Sequence, residues 1–266
     1  MPAWNVNNQM KNKVTKLGIM AAMEEEFRLI AQALDCVASR SVGPRTFYSG
    51  RSEELDLTLA VARVGKVASA VTTSILIHEF DVDAVLFVGV AGATDSRVKV
   101  GDVVVADRLV QHDIDLKGVL GYQRFDIPLL DVREMRCSTE LVDVARRAAQ
   151  NTIISEEYRA GMRGFTQSEP TLHVGMIGSG DQFICDATER DGLRDALPGL
   201  ACVEMEGAAV AQVCVEHGVP FVVTRIISDA ASQEAPVDFG AFIREAASVG
   251  SRAFVREFVS ALAGNG

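Results

Sequence analysis

Residues 83–92 read DAVLFVGVAG. After its first residue, nothing in this run suits a wet surface. It fits a strand covered on both faces, as in a mostly parallel sheet flanked by helices. The full apolar run, Ala84 to Ala93, lies between Asp83 and Asp95. It is about half the roughly 20 residues that a membrane-spanning helix needs. On its N-terminal side are strand candidates at 45–49 and 56–63 and a helix from about Lys66 to Phe80. Further back, LGIMAAM (17–23) is a short apolar run. Glu24, Glu25 and Glu26 follow at once, then Phe27, Ile30, Ala31 and Leu34 at helical spacing. This is a strand entering a helix whose first turn carries acids, where the helix dipole favours them.

Strands and helices keep alternating on the C-terminal side. Strands are expected at 101–115, 171–180, 200–205 and 219–228, and helices at 138–151, 188–196 and 206–217. The last helix places Phe239, Phe242, Ile243, Ala246, Phe254, Phe258 and Leu262 on one face, with Arg244, Glu245, Arg252 and Arg256 opposite. Segment 116–137 has no clear period and reads as an excursion; 152–169 reads as a polar loop or lid. Residues 1–16 are polar and aperiodic, a loose tail. No linker rich in Pro, Gly or Ser divides the rest, so 17–266 reads as one α/β domain with a mixed or mainly parallel sheet.

Composition narrows the function. Of 266 residues, 36 are acidic and 26 basic, a net charge of −10. A sequence-independent nucleic-acid binder or a protein of anionic membrane surfaces needs the opposite balance. The four histidines show no metal-ligand spacing, and no metal or cofactor is expected. The five cysteines (Cys36, Cys137, Cys185, Cys202 and Cys214) are scattered, without a CxxC pair. They read as reduced thiols of a soluble, cytoplasmic protein with no signal peptide.

In α/β sheets, ligands bind at the carboxyl ends of the strands. The polar interruptions of the apolar runs fall at those ends: Glu24–Glu26, Ala91–Gly92, Ser179–Asp181, Glu204 with Glu206, and Ser228–Asp229. Each has an ordinary structural reading. Glu206 can start a helix, Ser228 and Asp229 can form a cap, the glutamates can be a solvated first turn, and Phe183 can be core. The chemical reading is a buried acid of raised pKa beside carboxylates that stay charged.

Read in order, GIMAAMEEE (18–26), VGKVASA (64–70), VGVAGATDSRVKVGDVVVAD (88–107), HDID (112–115), SGDQFI (179–184), VEMEGAAVAQVC (203–214) and VPFVVTRIISD (219–229) resemble the 5′-methylthioadenosine/S-adenosylhomocysteine nucleosidases of the nucleoside phosphorylase/hydrolase superfamily. The resemblance spans about residues 17–262. It implies a three-layer αβα sandwich with a mixed central sheet, a homodimer, and hydrolysis of the N-glycosidic bond of a 5′-substituted adenosine. It also implies roles for individual residues. Asp229 would protonate the purine, oriented by Ser228. Glu26 would activate the attacking water, with Arg225 beside it. Glu206, helped by Met205, would bind the ribose hydroxyls. Phe183 would stack on adenine, and the Ile184 backbone would read its polar edge. Ala91 and Gly92 would lie against base and sugar, and Phe239 would close the 5′ pocket.

Two positions depart from expectation. Val90 stands where these nucleosidases commonly carry Ser or Thr, and Arg63 is an unusual cation without an assigned role. A phosphorylase of the same fold and a non-catalytic nucleoside-binding protein are the alternatives. Val90 and Glu26 weigh against the first, and the three carboxylates Glu26, Glu206 and Asp229 weigh against the second.

Overall fold

The computed structural model describes Met10 and residues 12–34, 37–52, 54–130 and 132–264. Cys36 and most of the expected tail lie outside the described residues. The elements are β1 (Lys16–Ala21), α1 (Glu24–Ala33), β2 (Ala38–Val42), β3 (Arg45–Ser52), β4 (Leu55–Val61), α2 (Lys66–Phe80), β5 (Ala84–Val88), β6 (Val90–Ala93), β7 (Val103–Gln111), β8 (Met135–Arg136), α3 (Thr139–Ile154), α4 (Glu156–Gly161), β9 (Leu172–Ser179), α5 (Ala187–Ala196), β10 (Leu200–Glu204), α6 (Gly207–His217), β11 (Phe221–Asp229), α7 (Ala235–Phe242), a π-helical turn (Ile243–Ala247) and α8 (Ser248–Ala263).

The sheet runs β2-β3-β4-β1-β5-β11-β6-β10-β9-β7-β8 and is mixed. β1 pairs in parallel with β4 and β5, and β5 with the first residues of β11. Strand pleating sends alternate side chains to opposite faces, and two apolar cores result. Leu17, Ile19, Leu86 and Val222 pack under α1, α3 and α8. Met20, Val85, Phe87 and Val223 pack under α2 and α6. This is the αβα sandwich.

β11 is the pivot. All nine of its residues are buried. Its start pairs with β5, its end with β6, and Thr224–Ile226 pair antiparallel with β7. Because β6, β10, β9 and β7 are themselves joined in sequence, this last pairing curls one half of the sheet into a closed ring. The ring concentrates the ends of β6, β9, β10 and β11 around one spot.

Three expectations need correction. The run 83–92 is two strands broken at Gly89, not one. Residues 14–16, counted in the expected tail, are tied into the fold: Val14 is buried, Thr15 bonds to Asp83 through its backbone N–H (3.0 Å) and hydroxyl (2.9 Å), and β1 begins at Lys16. Segment 152–169, expected to be a polar loop or lid, holds the end of α3 and all of α4 before the chain becomes a loop. Ser155 caps α4, and the fully buried Tyr158 donates its hydroxyl to the Gly101 carbonyl (2.7 Å). Among the described residues no helix is long and apolar enough to cross a membrane.

Candidate active site

The curled half of the sheet opens into a cleft lined from β6, β10, β11 and the loop after β9, and concave sites of this kind are where small ligands bind. Of the residues named from the sequence, Glu26, Ala91, Gly92, Phe183, Ile184, Met205, Glu206, Ser228, Asp229 and Phe239 all line it; Arg225 does not.

Glu26 sits in the first turn of α1, yet it is 1% exposed whereas Glu24 and Glu25 face water. Its Oε2 turns back to accept from the Met23 N–H (2.9 Å), and its Oε1 accepts from the Val90 N–H across the sheet (3.0 Å). The break at Gly89 makes room for it: a Cβ there would stand 2.8 Å from Glu26 Oε1. Burial pushes the Glu26 carboxyl above its usual range, opposed by Arg225 and by the backbone donors.

Asp229 ends β11. Its Oδ2 accepts from the Ser228 hydroxyl (2.8 Å) and its Oδ1 from the Ala231 N–H (2.8 Å). Gly92 lies so close that a Cβ would come 2.8 Å from Oδ1. Burial raises the Asp229 pKa, and its two hydrogen bonds only partly offset that. Glu206 follows β10 and accepts from the Gly65 N–H (2.8 Å). Burial, then the neighbouring Glu204, push it up to about 8. The sequence reading had one protonated acid and two ionised; burial raises all three.

Arg225 lies beneath the floor of the cleft, fully buried. It pairs with Glu204, bonds to the Thr224 (3.0 Å) and Phe87 (3.4 Å) carbonyls, and holds its guanidinium 4.2 Å from the Phe87 ring centre. It was expected beside Glu26, and it is near Glu26 at Gly89, but its ion pair goes to Glu204. Burial disfavours the Arg225 charge, and Glu204, Glu206 and Glu26 outweigh that cost.

Glu204 is the residue that sequence reasoning left without a role. It accepts from the Ser179 hydroxyl and from the Gly207 N–H (2.8 Å), so it joins β9, the start of α6 and Arg225. The usable signal was its setting: a carboxylate that ends the apolar strand LACVE is buried and needs partners. Gln182, Val64 and Met23 also line the cleft without having been named. At its mouth the rings of Phe183 and Phe239 meet edge to face, 5.4 Å apart. Phe183 is 42% exposed and Ile184 buried, so one faces the cleft as a free plate and the other anchors its loop. Val90 lines the wall as an apolar side chain. Arg63 points away and donates to the Pro44 carbonyl (2.7 Å).

The arrangement offers a cleft lined by apolar side chains, with Asp229, Glu26 and Glu206 as three buried acids of raised pKa and an aromatic ring, Phe183, beside them. Comparison with known proteins agrees with that chemistry. Residues 16–260 match the Phosphorylase superfamily. A 5′-methylthioadenosine/S-adenosylhomocysteine nucleosidase from a Marinomonas species is 36% identical over 87% of this chain and 93% of its own. The solved nucleosidase of Colwellia psychrerythraea, in complex with adenine, superposes with a TM-score of 0.82 at 33% identity, over 94% of this chain and 96% of that one. A futalosine hydrolase of Helicobacter pylori gives 0.81 at 33% identity, over 93% and 98%. The chain belongs to the 5′-methylthioadenosine/S-adenosylhomocysteine nucleosidase family of the phosphorylase superfamily.

Proposed function

We propose that this protein hydrolyses the N-glycosidic bond of 5′-methylthioadenosine and S-adenosylhomocysteine, releasing adenine. The carrying observation is that a buried acid of raised pKa, Asp229, and a second buried carboxylate, Glu26, share one cleft with an exposed aromatic plate, Phe183.

Adenine is a poor leaving group. As its bond to C1′ breaks, the electron pair moves onto the purine, and the Asp229 proton goes to the imidazole nitrogen N7. Ser228 holds Asp229 in place. The ribosyl group becomes cationic, and the carboxylates around it stabilise that charge. Glu26 takes a proton from water, whose oxygen bonds to C1′. Glu206 accepts the ribose hydroxyls beside Met205. Phe183 stacks on the base, the Ile184 backbone reads its edge, Ala91 and Gly92 pack against base and sugar, and Phe239 closes the 5′ side.

Phosphate is disfavoured as the nucleophile. Glu26, Glu204, Glu206 and Asp229 crowd the site, and the nearest cation, Arg225, is already paired with Glu204. The working unit is a homodimer. Supporting this, Val67 and Val71 stay exposed on the first turns of α2, with Val64 exposed just before it at the cleft. The protein acts in the cytoplasm, where adenine release from thionucleosides serves methionine salvage; Cys137, Cys202 and Cys214 are buried free thiols.

Adenine release from both nucleosides, followed in phosphate-free buffer, tests the reading. Turnover is expected without phosphate, and Asp229→Asn is expected to lose about 10²–10⁴-fold in kcat while still binding ligand. Activity that appears only with phosphate, or an Asn variant as fast as wild type, would overturn it.

A further inference from the structure

Two motifs, VGKVASA and HDID, play no part in that chemistry, yet the fold brings them together at the rim of the cleft. We propose that Asp113 and Lys66 are positioning residues: their ion pair locks the loop that carries Phe183 and Ile184 to the turn that holds Glu206. This rests on the roles proposed above for those three residues.

The geometry forms a closed circuit. Lys66 Nζ donates to Asp113 Oδ1 (2.6 Å) and to Gln111 Oε1 (3.0 Å). Asp113 Oδ2 accepts from the Asp181 N–H (2.9 Å), two residues ahead of Phe183. The Asp181 carboxylate in turn accepts from the Lys66 N–H (2.8 Å). One residue earlier, the Gly65 N–H donates to Glu206 Oε1 (2.8 Å). Thus the start of α2 touches the sugar side through Glu206 and the base side through Asp181, and Asp113 closes the loop between them.

The pair is built to be rigid. Its side chains are only 17% and 18% exposed, so solvent screens it less than a surface ion pair. Gln111 is backed by Gln212 (2.6 Å), fixing the lysine from behind. His112 supports the same loop from below: a Cβ on Gly180 would stand 2.4 Å from its ring. Burial works against the charge on Asp113, but the hydrogen bonds from Lys66 and Asp181 hold its pKa below the ordinary value.

Four proteins separate positioning from mere support: wild type, Asp113→Ala, Phe183→Ala and the double variant. Each is assayed for kcat and KM with 5′-methylthioadenosine, and for adenine binding by calorimetry. Asp113→Ala is expected to raise KM and weaken adenine binding about tenfold, with a much smaller change in kcat. In the Phe183→Ala background the same change is expected to cost clearly less, because the loop it steadies no longer carries the ring and positions only the Ile184 backbone and the Glu206 side. Lys66→Met reads the pair from the other side and stands in if Asp113→Ala does not fold. An unchanged KM in both, or full additivity with Phe183→Ala, would overturn the proposal. If wild type releases no adenine, the reaction assigned above fails, and the adenine-binding arm still decides the clamp.

Discussion

At the scale of single residues, the site depends on glycines that let carboxylates come close. Gly92 has no left-handed backbone, so alanine fits its conformation; a Cβ would stand 2.8 Å from Asp229 Oδ1 and 3.2 Å from the Ala231 Cβ, so the acid and the turn after it must give way. Gly92→Ala should therefore leave the fold intact and push the acid aside. A displacement near an ångström can cost about 10²-fold in rate. The expected result is a loss of that order in kcat with an unchanged melting temperature, and an unchanged kcat would refute it. The same scale shows what the sequence could not disclose. MEEEF presents three adjacent glutamates, and local propensity treats them alike. Only the tertiary position of β6, whose Val90 N–H reaches Glu26, singles out the third. Asp229 and Glu206 were legible because each interrupts a long apolar run. Glu204 was hidden by its neighbour Glu206, because no local pattern announces a partner as remote as Arg225.

At the scale of elements, apolar periodicity located most strands and helices, including α2 at its observed limits. It failed where the signal was missing. β2 (ASRSV) is an edge strand with an exposed surface and no apolar residue but its first and last, so alternation says nothing. The split of 83–92 was invisible because Gly89 is compatible with a continuous strand; the break answers to Glu26, which is remote in sequence. α2 also carries an unpartnered feature: Val67 is 75% exposed and Val71 41%, one turn apart, next to exposed Val64. This is where the homodimer proposed above would close. Placing a charge there, as in Val67→Asp, should convert a dimer to monomers in sedimentation velocity while leaving the circular dichroism spectrum unchanged. A dimer that survives the substitution would remove α2 from the interface.

At the scale of the whole molecule, the acid excess divides into two populations with opposite pH behaviour. Surface carboxylates such as Asp95, held at about 2 mainly by its hydrogen bond with Arg97, are ionised across the physiological range and do not distinguish one neutral pH from another. The buried group behaves differently. Folding raises Glu206 from 4.5 to about 8, chiefly through burial and then through Glu204. Between those values the folded protein keeps a proton that the unfolded chain has released, so the native state binds more protons and stability falls as pH rises. The contribution is fully present below the unfolded value and is gone once pH passes the folded one. One such group gives a slope of up to about 1.4 kcal/mol per pH unit. Glu206→Gln removes the titration and keeps an oxygen able to accept from Gly65. In denaturant unfolding of ligand-free protein between about pH 5 and pH 8, wild type should lose stability more steeply than the variant, and the two should converge toward the acid end. Asp229 adds its own slope to both proteins, whereas Glu26 acts on Glu206 directly, so the difference reads Glu206 together with its coupling to Glu26. Parallel stability profiles would mean that Glu206 is ionised in the empty site, and that the carboxylate proposed to bind the ribose need not lose a proton before substrate enters.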